Sequence, residues 1–293
     1  MRSKADKPRY RPEILATGLI LILVSSAFLA SAPNRSLPAA MSSTTLEPQV
    51  PGSQRPEVLW RAGFESGDTG EFFGVSTSDC ASAEVVGDPV HTGTYAGALS
   101  VCEGRGGVRM RVEGLVPGTS LPDDAYYSAW FLMPTSFTGD DSNIFQFKQA
   151  VTDDGLTQTK EVLFSIQVGW EVGHGWDLRL KGKIDQEIRA WDNVQRVLGH
   201  SGAAGIHAPA NRWFQIETRY VWSKGGAGRI ATWLDGQLLW DFADLTTEID
   251  WPYLARPRQW TMNHYAKGIT PPSSTIYLDD ATVSFRRLTD PGK

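Results

Sequence analysis

The stretch RWFQIETRYVWSKGGAGRIATWLDGQLLWD, residues 212–241, constrains the fold more than any other part of the chain. Phe214, Ile216, Thr218, Tyr220 and Trp222 fall on one side of its first half, and Gln215, Glu217 and Arg219 on the other. A period of two with one apolar side is the pattern of a strand packed on a core, not of a helix. The Gly-rich SKGGAG segment permits positive φ, Ile230, Thr232 and Leu234 alternate on the way back, and Asp235-Gly236 is a two-residue hairpin signal. A three-stranded meander of this kind is not stable alone and needs a second sheet over its apolar face.

Composition says where that sheet comes from. The chain has 293 residues, 41% of them hydrophobic, with 11 Trp and 12 Phe, and its 29 Gly and 17 Pro supply many turns. Aromatic side chains suit pleated, half-buried surfaces, so the class expected is all-β, a sandwich of two antiparallel sheets. A net charge of -5 argues against a general nucleic-acid partner, while leaving room for a local basic face.

Arg2, Lys4, Lys7, Arg9 and Arg11 precede an apolar run from Ile14 to about Ala32, with an Ala30-Ser31-Ala32 cleavage pattern. Residues 1–32 therefore read as a secretory signal peptide, with an uncleaved signal anchor as the alternative, and membrane contact is expected only in that second case. Residues 33–56, rich in Ser, Pro, Thr and Ala, read as a flexible tether, and 57–288 as one β domain, expected to be a secreted monomer. Cys80 and Cys102 are the only cysteines, and in an oxidising compartment they form one structural disulfide.

Three short motifs near the two ends of the domain resemble calcium-containing β-jelly-roll carbohydrate-binding modules. They are Phe64-Glu65-Ser66-Gly67, His91-Thr92-Gly93-Thr94-Tyr95 followed by Ala98-Leu99-Ser100-Val101, and Ile276-Tyr277-Leu278-Asp279-Asp280-Ala281. The first and last strands of a jelly roll lie side by side. The resemblance thus implies that Glu65 and Asp279 or Asp280 share a structural Ca²⁺ that staples the termini. The alternative is that these acids are solvated turn residues.

Between the ends, successive strands repeat one logic. Val108, Met110 and Val112 alternate with Arg109, Arg111 and Glu113; Phe145 and Phe147 alternate with Gln146 and Lys148. Val162, Phe164, Ile166 and Val168 leave Ser165 and Gln167 opposite, and Trp176, Leu178 and Leu180 leave Asp177, Arg179 and Lys181 opposite. One sheet face therefore collects Arg, Lys, Gln and Ser. Tyr126 to Met133 is apolar on both faces and reads as a central strand. Residues 182–211 break the β pattern and read as a long loop with a short helical turn, where Trp191 and His200 or His207 cap one end of a groove. In QWTMNHYAKGI, Trp260, Met262 and His264 alternate with Asn263, Tyr265 and Lys267.

IFQFKQ, the hairpin RWFQIETRYVW/WLDGQLLWDF, HYAKG and IYLDD resemble concanavalin-like jelly-roll polysaccharide lyases, the group that includes alginate, glucuronan and heparin lyases. The chain departs from the alginate-lyase pattern in Tyr265-Ala266-Lys267-Gly268, which lacks a residue between Lys and Gly, and in Gln167-Val168-Gly169, which stands where Gln-x-His is usual. The resemblance implies β-elimination of an anionic, uronic-acid-containing polysaccharide. That chemistry needs a cationic or amide group at the carboxylate, a base for the C5 proton and an acid for the leaving oxygen. Arg109 or Arg111, Gln146, Lys148 and Asn263 suit the first role, with Gln167, Arg179 and Lys181 on the same binding face. His264 or Tyr265 suits the second and Tyr265 the third, assisted by Lys267, and His174 is a further candidate. No organic cofactor is implied. A non-catalytic lectin-like module is the alternative, needing only stacking aromatics and amides. A glycoside hydrolase ranks lower, because no strand carries a closely spaced pair of acids.

Overall fold

A computed structural model describes residues 58–102, 105–116, 119–134, 142–152, 158–182, 196–249 and 254–288. The leader, the tether and most of the 182–195 segment, including Trp191, lie outside them. Among the described residues no helix is long and apolar enough to cross a membrane.

Two antiparallel sheets face each other. The first contains β1 (Val58–Ala62), β3 (Ser82–Val86), β4 (Ala96–Val101), β6 (Asp124–Leu132), β11 (Trp213–Val221), β12 (Gly228–Leu234), β13 (Gln237–Leu245) and β15 (Ser274–Ser284). Its order is β13-β12-β11-β6-β15-β4-β3, with β1 also on β15. The second contains β2 (Gly74–Ser78), β5 (Arg105–Val112), β7 (Ser142–Thr152), β8 (Gln158–Glu171), β9 (Gly175–Gly182), β10 (Arg196–His200) and β14 (Leu254–Lys267), in the order β10-β9-β8-β7-β14-β5-β2. This is the jelly-roll sandwich expected from the alternating pattern.

The meander of residues 212–241 supplies β11, β12 and the start of β13, and its turn is of the primed hairpin type, since Asp235 and Gly236 both have positive φ. The doubly apolar Tyr126 to Met133 segment is β6, seated between β11 and β15. The inward sets meet as expected. Phe145, Phe147, Phe164, Ile166, Trp176, Leu178, Leu180, Trp260 and Met262 pack from the second sheet against Tyr127, Phe131, Phe214, Ile216 and Tyr220 of the first. Phe147 stacks on Tyr220 at 3.9 Å, and Tyr127 meets Trp260 edge-on at 5.4 Å. Each such side chain contributes roughly 1.5–3 kcal/mol by leaving water. Cys80 and Cys102 are bonded, with Cα atoms 5.8 Å apart, tying the β2–β3 turn to the end of β4.

Two local expectations fail. The 182–211 segment is not wholly loop: Arg196–His200 forms β10 on the edge of the second sheet beside β9, and a 3-10 turn follows at Gly202–Ala204. Five residues on a sheet edge, with a bulge between Val197 and Gly199, are too short and irregular to show a period of two. In β11, Gln215 and Glu217 face away from the core yet are buried, because Glu217 holds Arg287 at 3.0 Å and accepts from the Leu288 N–H. The C-terminal segment covers that outer patch.

Candidate functional site

The register of the second sheet gathers the polar residues of the pattern. Residues directly opposite one another in a ladder share a face. Tyr265 lies opposite Gly107 and Asn143; Asn143 is opposite Gln167, Gln167 opposite Arg179, and Arg179 opposite His200. A parallel row runs Arg111, Thr261, Gln146, Ser165, Lys181. Arg109 stands opposite Asn263, and Gln259 opposite Lys148. Arg109, Arg111, Gln146, Lys148, Gln167, Arg179, Lys181, Asn263 and Tyr265 thus occupy one face of one sheet, away from the core.

Within that face the electrostatics are uneven. The Arg109 guanidinium sits 4.8 Å from the centre of the Tyr265 ring, and Tyr265 is 39% exposed. Gly107 makes room for this: a β-carbon there would come within 2.4 Å of the ring. Asn263 is buried and donates to Asn143 Oδ1 at 3.3 Å. Arg111 pairs with Glu113 at 2.8 Å, and Arg179 with Asp177 at 2.9 Å. Gln146, Lys148 and Gln167 lie low among longer neighbours. Lys267 continues β14 opposite Arg105, but its side chain is outside the described residues.

Other expected residues are elsewhere. His264 points to the opposite side of β14, into the core, with no exposed surface and Nε2 at 2.7 Å from Ser274 Oγ. Burial, only partly offset by Ser274, pulls its pKa down to about 4. The expectation that it reaches a substrate is corrected: strand alternation puts it with Trp260 and Met262, as their spacing requires. His174 is exposed in the β8–β9 turn, its ring 5.3 Å from that of His207, whose Nε2 is 2.7 Å from Glu171 Oε2. These two histidines lie past the strand ends and outside the polar rows.

His200, expected from its loop position only as an alternative to His207 in capping a groove, has a partner of its own. Its Nδ1 is 3.1 Å from Asp177 Oδ2, and its side chain is 44% exposed. The signal available was only a histidine in an unassigned segment; its partner became visible when β10 paired with β9.

In the first sheet β1 pairs with β15, as the terminal motifs require, and the acids converge there around Gly63. Both oxygens of each carboxylate are occupied. Glu65 accepts from the Thr94 and Tyr95 N–H groups, and Asp279 from those of His91, Thr92 and Asp280. Asp280 accepts from Arg61, Thr92 Oγ1 and His91 Nδ1. Burial holds the Asp279 carboxyl above its usual range despite those N–H groups. Burial also pushes Asp280 upward, but His91, Thr92 and Arg61 outweigh it and hold it below. The donors are hard oxygens suited to Ca²⁺. As placed, however, they close a hydrogen-bonded clamp, and among the described residues no three His, Cys, Asp or Glu are arranged to hold a metal.

The fold and this polar face define a class: jelly-roll sandwiches of two antiparallel sheets with a cation- and amide-bearing outer face. The chain belongs to the polysaccharide lyase family, which matches residues 64–281. No curated protein matches it by sequence. Among solved structures it is similar to an endo-β-1,4-glucuronan lyase from the fungus Trichoderma reesei, at 14% identity over 78% of this chain and 96% of that one, with a TM-score of 0.59. It is also similar to the alginate lyase Aly36B, at 11% identity over 78% and 97%, with a TM-score of 0.53. A PL-14 alginate lyase from Aplysia kurodai superposes with a TM-score of 0.50 at 11% identity, over 78% and 99%. At such identities the likenesses establish the fold.

Proposed function

We propose that this polysaccharide lyase-like protein cleaves a uronic-acid-containing polysaccharide by β-elimination on the outer face of the second sheet. The observation that carries the reading is the gathering of Arg109, Arg111, Gln146, Lys148, Gln167, Arg179, Lys181, Asn263 and Tyr265 on that one face. Cations and amides there would neutralise the uronate carboxylate, which lowers the cost of removing the adjacent C5 proton. Arg109 is suited to hold one uronate of a bound chain, having no carboxylate partner among the described residues and lying over the Tyr265 ring.

The test is a screen of glucuronan, alginate and other uronate polymers for absorbance near 232 nm, the mark of the unsaturated product. Retention on such a polymer without absorbance would replace the lyase reading with that of a binding module, and a protein that shows no absorbance change and no retention would sink both. Export and a monomeric state belong to the same reading. Export rests on the charged and apolar leader of residues 1–32, and mass spectrometry of the mature N-terminus checks it. Calcium at the Glu65, Asp279 and Asp280 clamp is proposed as well, on the condition that a bound ion displaces donors such as Arg61.

A further inference from the structure

We propose that His200, oriented by Asp177 and flanked by Arg179, is the residue that takes and returns the proton, so that elimination occurs over β8, β9 and β10. This rests on the lyase reading above and deepens it.

The geometry is that of a positioned imidazole. Asp177 is 6% exposed and accepts from Arg179 Nε at 2.9 Å, the Gly202 N–H at 2.9 Å and Ser201 Oγ at 3.4 Å, besides facing His200 Nδ1 at 3.1 Å. Burial pushes its pKa up, but these hydrogen bonds outweigh it and keep the carboxylate ionised below its usual range. An ionised carboxylate only accepts, so the His200 ring must carry its proton on Nδ1, leaving the Nε2 lone pair free to act. The arrangement of a base held in one tautomer by a buried acid is the one nucleophile-activating triads use.

Arg179, the cross-strand neighbour of His200, owes its placement to a glycine. Its guanidinium rests over Gly169, where a β-carbon would approach Nη2 to 2.7 Å. A histidine at 169, the position the Gln-x-His pattern would fill, is incompatible with that placement. The missing imidazole of β8 is replaced by an arginine over the glycine and a histidine one strand beyond it. Gln167, opposite Arg179, adds an amide. Among the described residues, the other charged side chains around this end include Lys181 on β9 and Glu171, which pairs with His207.

Tyr265 cannot serve the same linkage. From Tyr265 the row passes Asn143, Gln167 and Arg179 before reaching His200, four steps of ~4.8 Å, or roughly 19 Å measured along the sheet. An imidazole is also a side chain that can both take and give a proton, as the step requires. In the step proposed, Nε2 takes the C5 proton and the C–H electron pair becomes the C4=C5 double bond. The C4–O bond breaks, and the imidazolium gives its proton to the departing oxygen. No co-reactant is consumed, and Arg179 with Gln167 holds the carboxylate.

The experiment compares wild type, His200→Gln and Asp177→Asn on whichever uronate polymer the screen identifies, with circular dichroism to confirm folding. His200→Gln should lower kcat by about 100-fold or more with little change in KM. Asp177→Asn should lower kcat and displace the acidic limb of the pH profile, because it alters the tautomer and basicity of His200. A His200→Gln enzyme with wild-type kcat, or one changed in KM alone, would overturn the assignment while leaving the lyase reading intact. A wild type inactive on every uronate polymer would overturn both.

Discussion

His264 makes the stability of the fold sensitive to acid in a way that can be calculated. Its ring is wholly buried between the sheets, and its folded pKa is about 4, against an ordinary value near 6.5. Between those values the unfolded chain binds a proton that the native protein refuses. The contribution is therefore fully present above about pH 6.5, declines as pH falls, and is exhausted below about pH 4. A gap from about 4 to 6.5, at about 1.4 kcal/mol per unit, comes to about 3 kcal/mol in all, of which about 2 kcal/mol is lost between pH 7 and pH 4.5. His264→Gln keeps a polar side chain for Ser274 but cannot titrate. Urea unfolding followed by tryptophan fluorescence at both pH values should show the wild type losing about 2 kcal/mol more than the variant. Equal losses would refute the reasoning, as would an imidazole that titrates near 6.5 by NMR in the folded protein. Because the ring faces the core, the folded variant should also retain its turnover.

Gly97 of β4 sits under Phe64, and a β-carbon there would come within 2.5 Å of Phe64 Cζ in a wholly buried setting. Gly97→Ala should destabilise by about 1–3 kcal/mol, the usual cost of overpacking, and an unchanged urea midpoint would show that the β1–β4 corner can yield. Removing calcium with a chelator should lower the unfolding midpoint if the terminal clamp binds the ion, since a ligand of the native state stabilises it by mass action. A midpoint the same with excess calcium and with excess chelator would sink that proposal.

Much of the candidate site was legible because a period of two carries two messages at once. In WDLRLKGK the same spacing that sends Trp176, Leu178 and Leu180 inward places Arg179 and Lys181 outward, and the structure keeps both sets. His264 shows how that rule corrects a chemical guess. A histidine next to Tyr265 looks like a partner in catalysis, yet adjacent residues of a strand face opposite ways. His200 shows the limit of the rule: β10 is short, bulged and at an edge, so its pairing leaves no periodic trace.

Local alternation and what a sheet must bury set the class, the sandwich, the central strand and the inward or outward direction of residues in the regular strands. The cysteine count paired Cys80 with Cys102, and the resemblance carried by the terminal motifs put the first strand beside the last. The order in which the remaining strands lie beside one another was set by the folded chain. That choice set Asn143 rather than Gln167 opposite Tyr265, brought Asp177 to His200, and covered Glu217 with Arg287. These contacts join residues up to 120 or so positions apart, from Asn143 to Tyr265, and no local pattern encodes the order in which strands assemble.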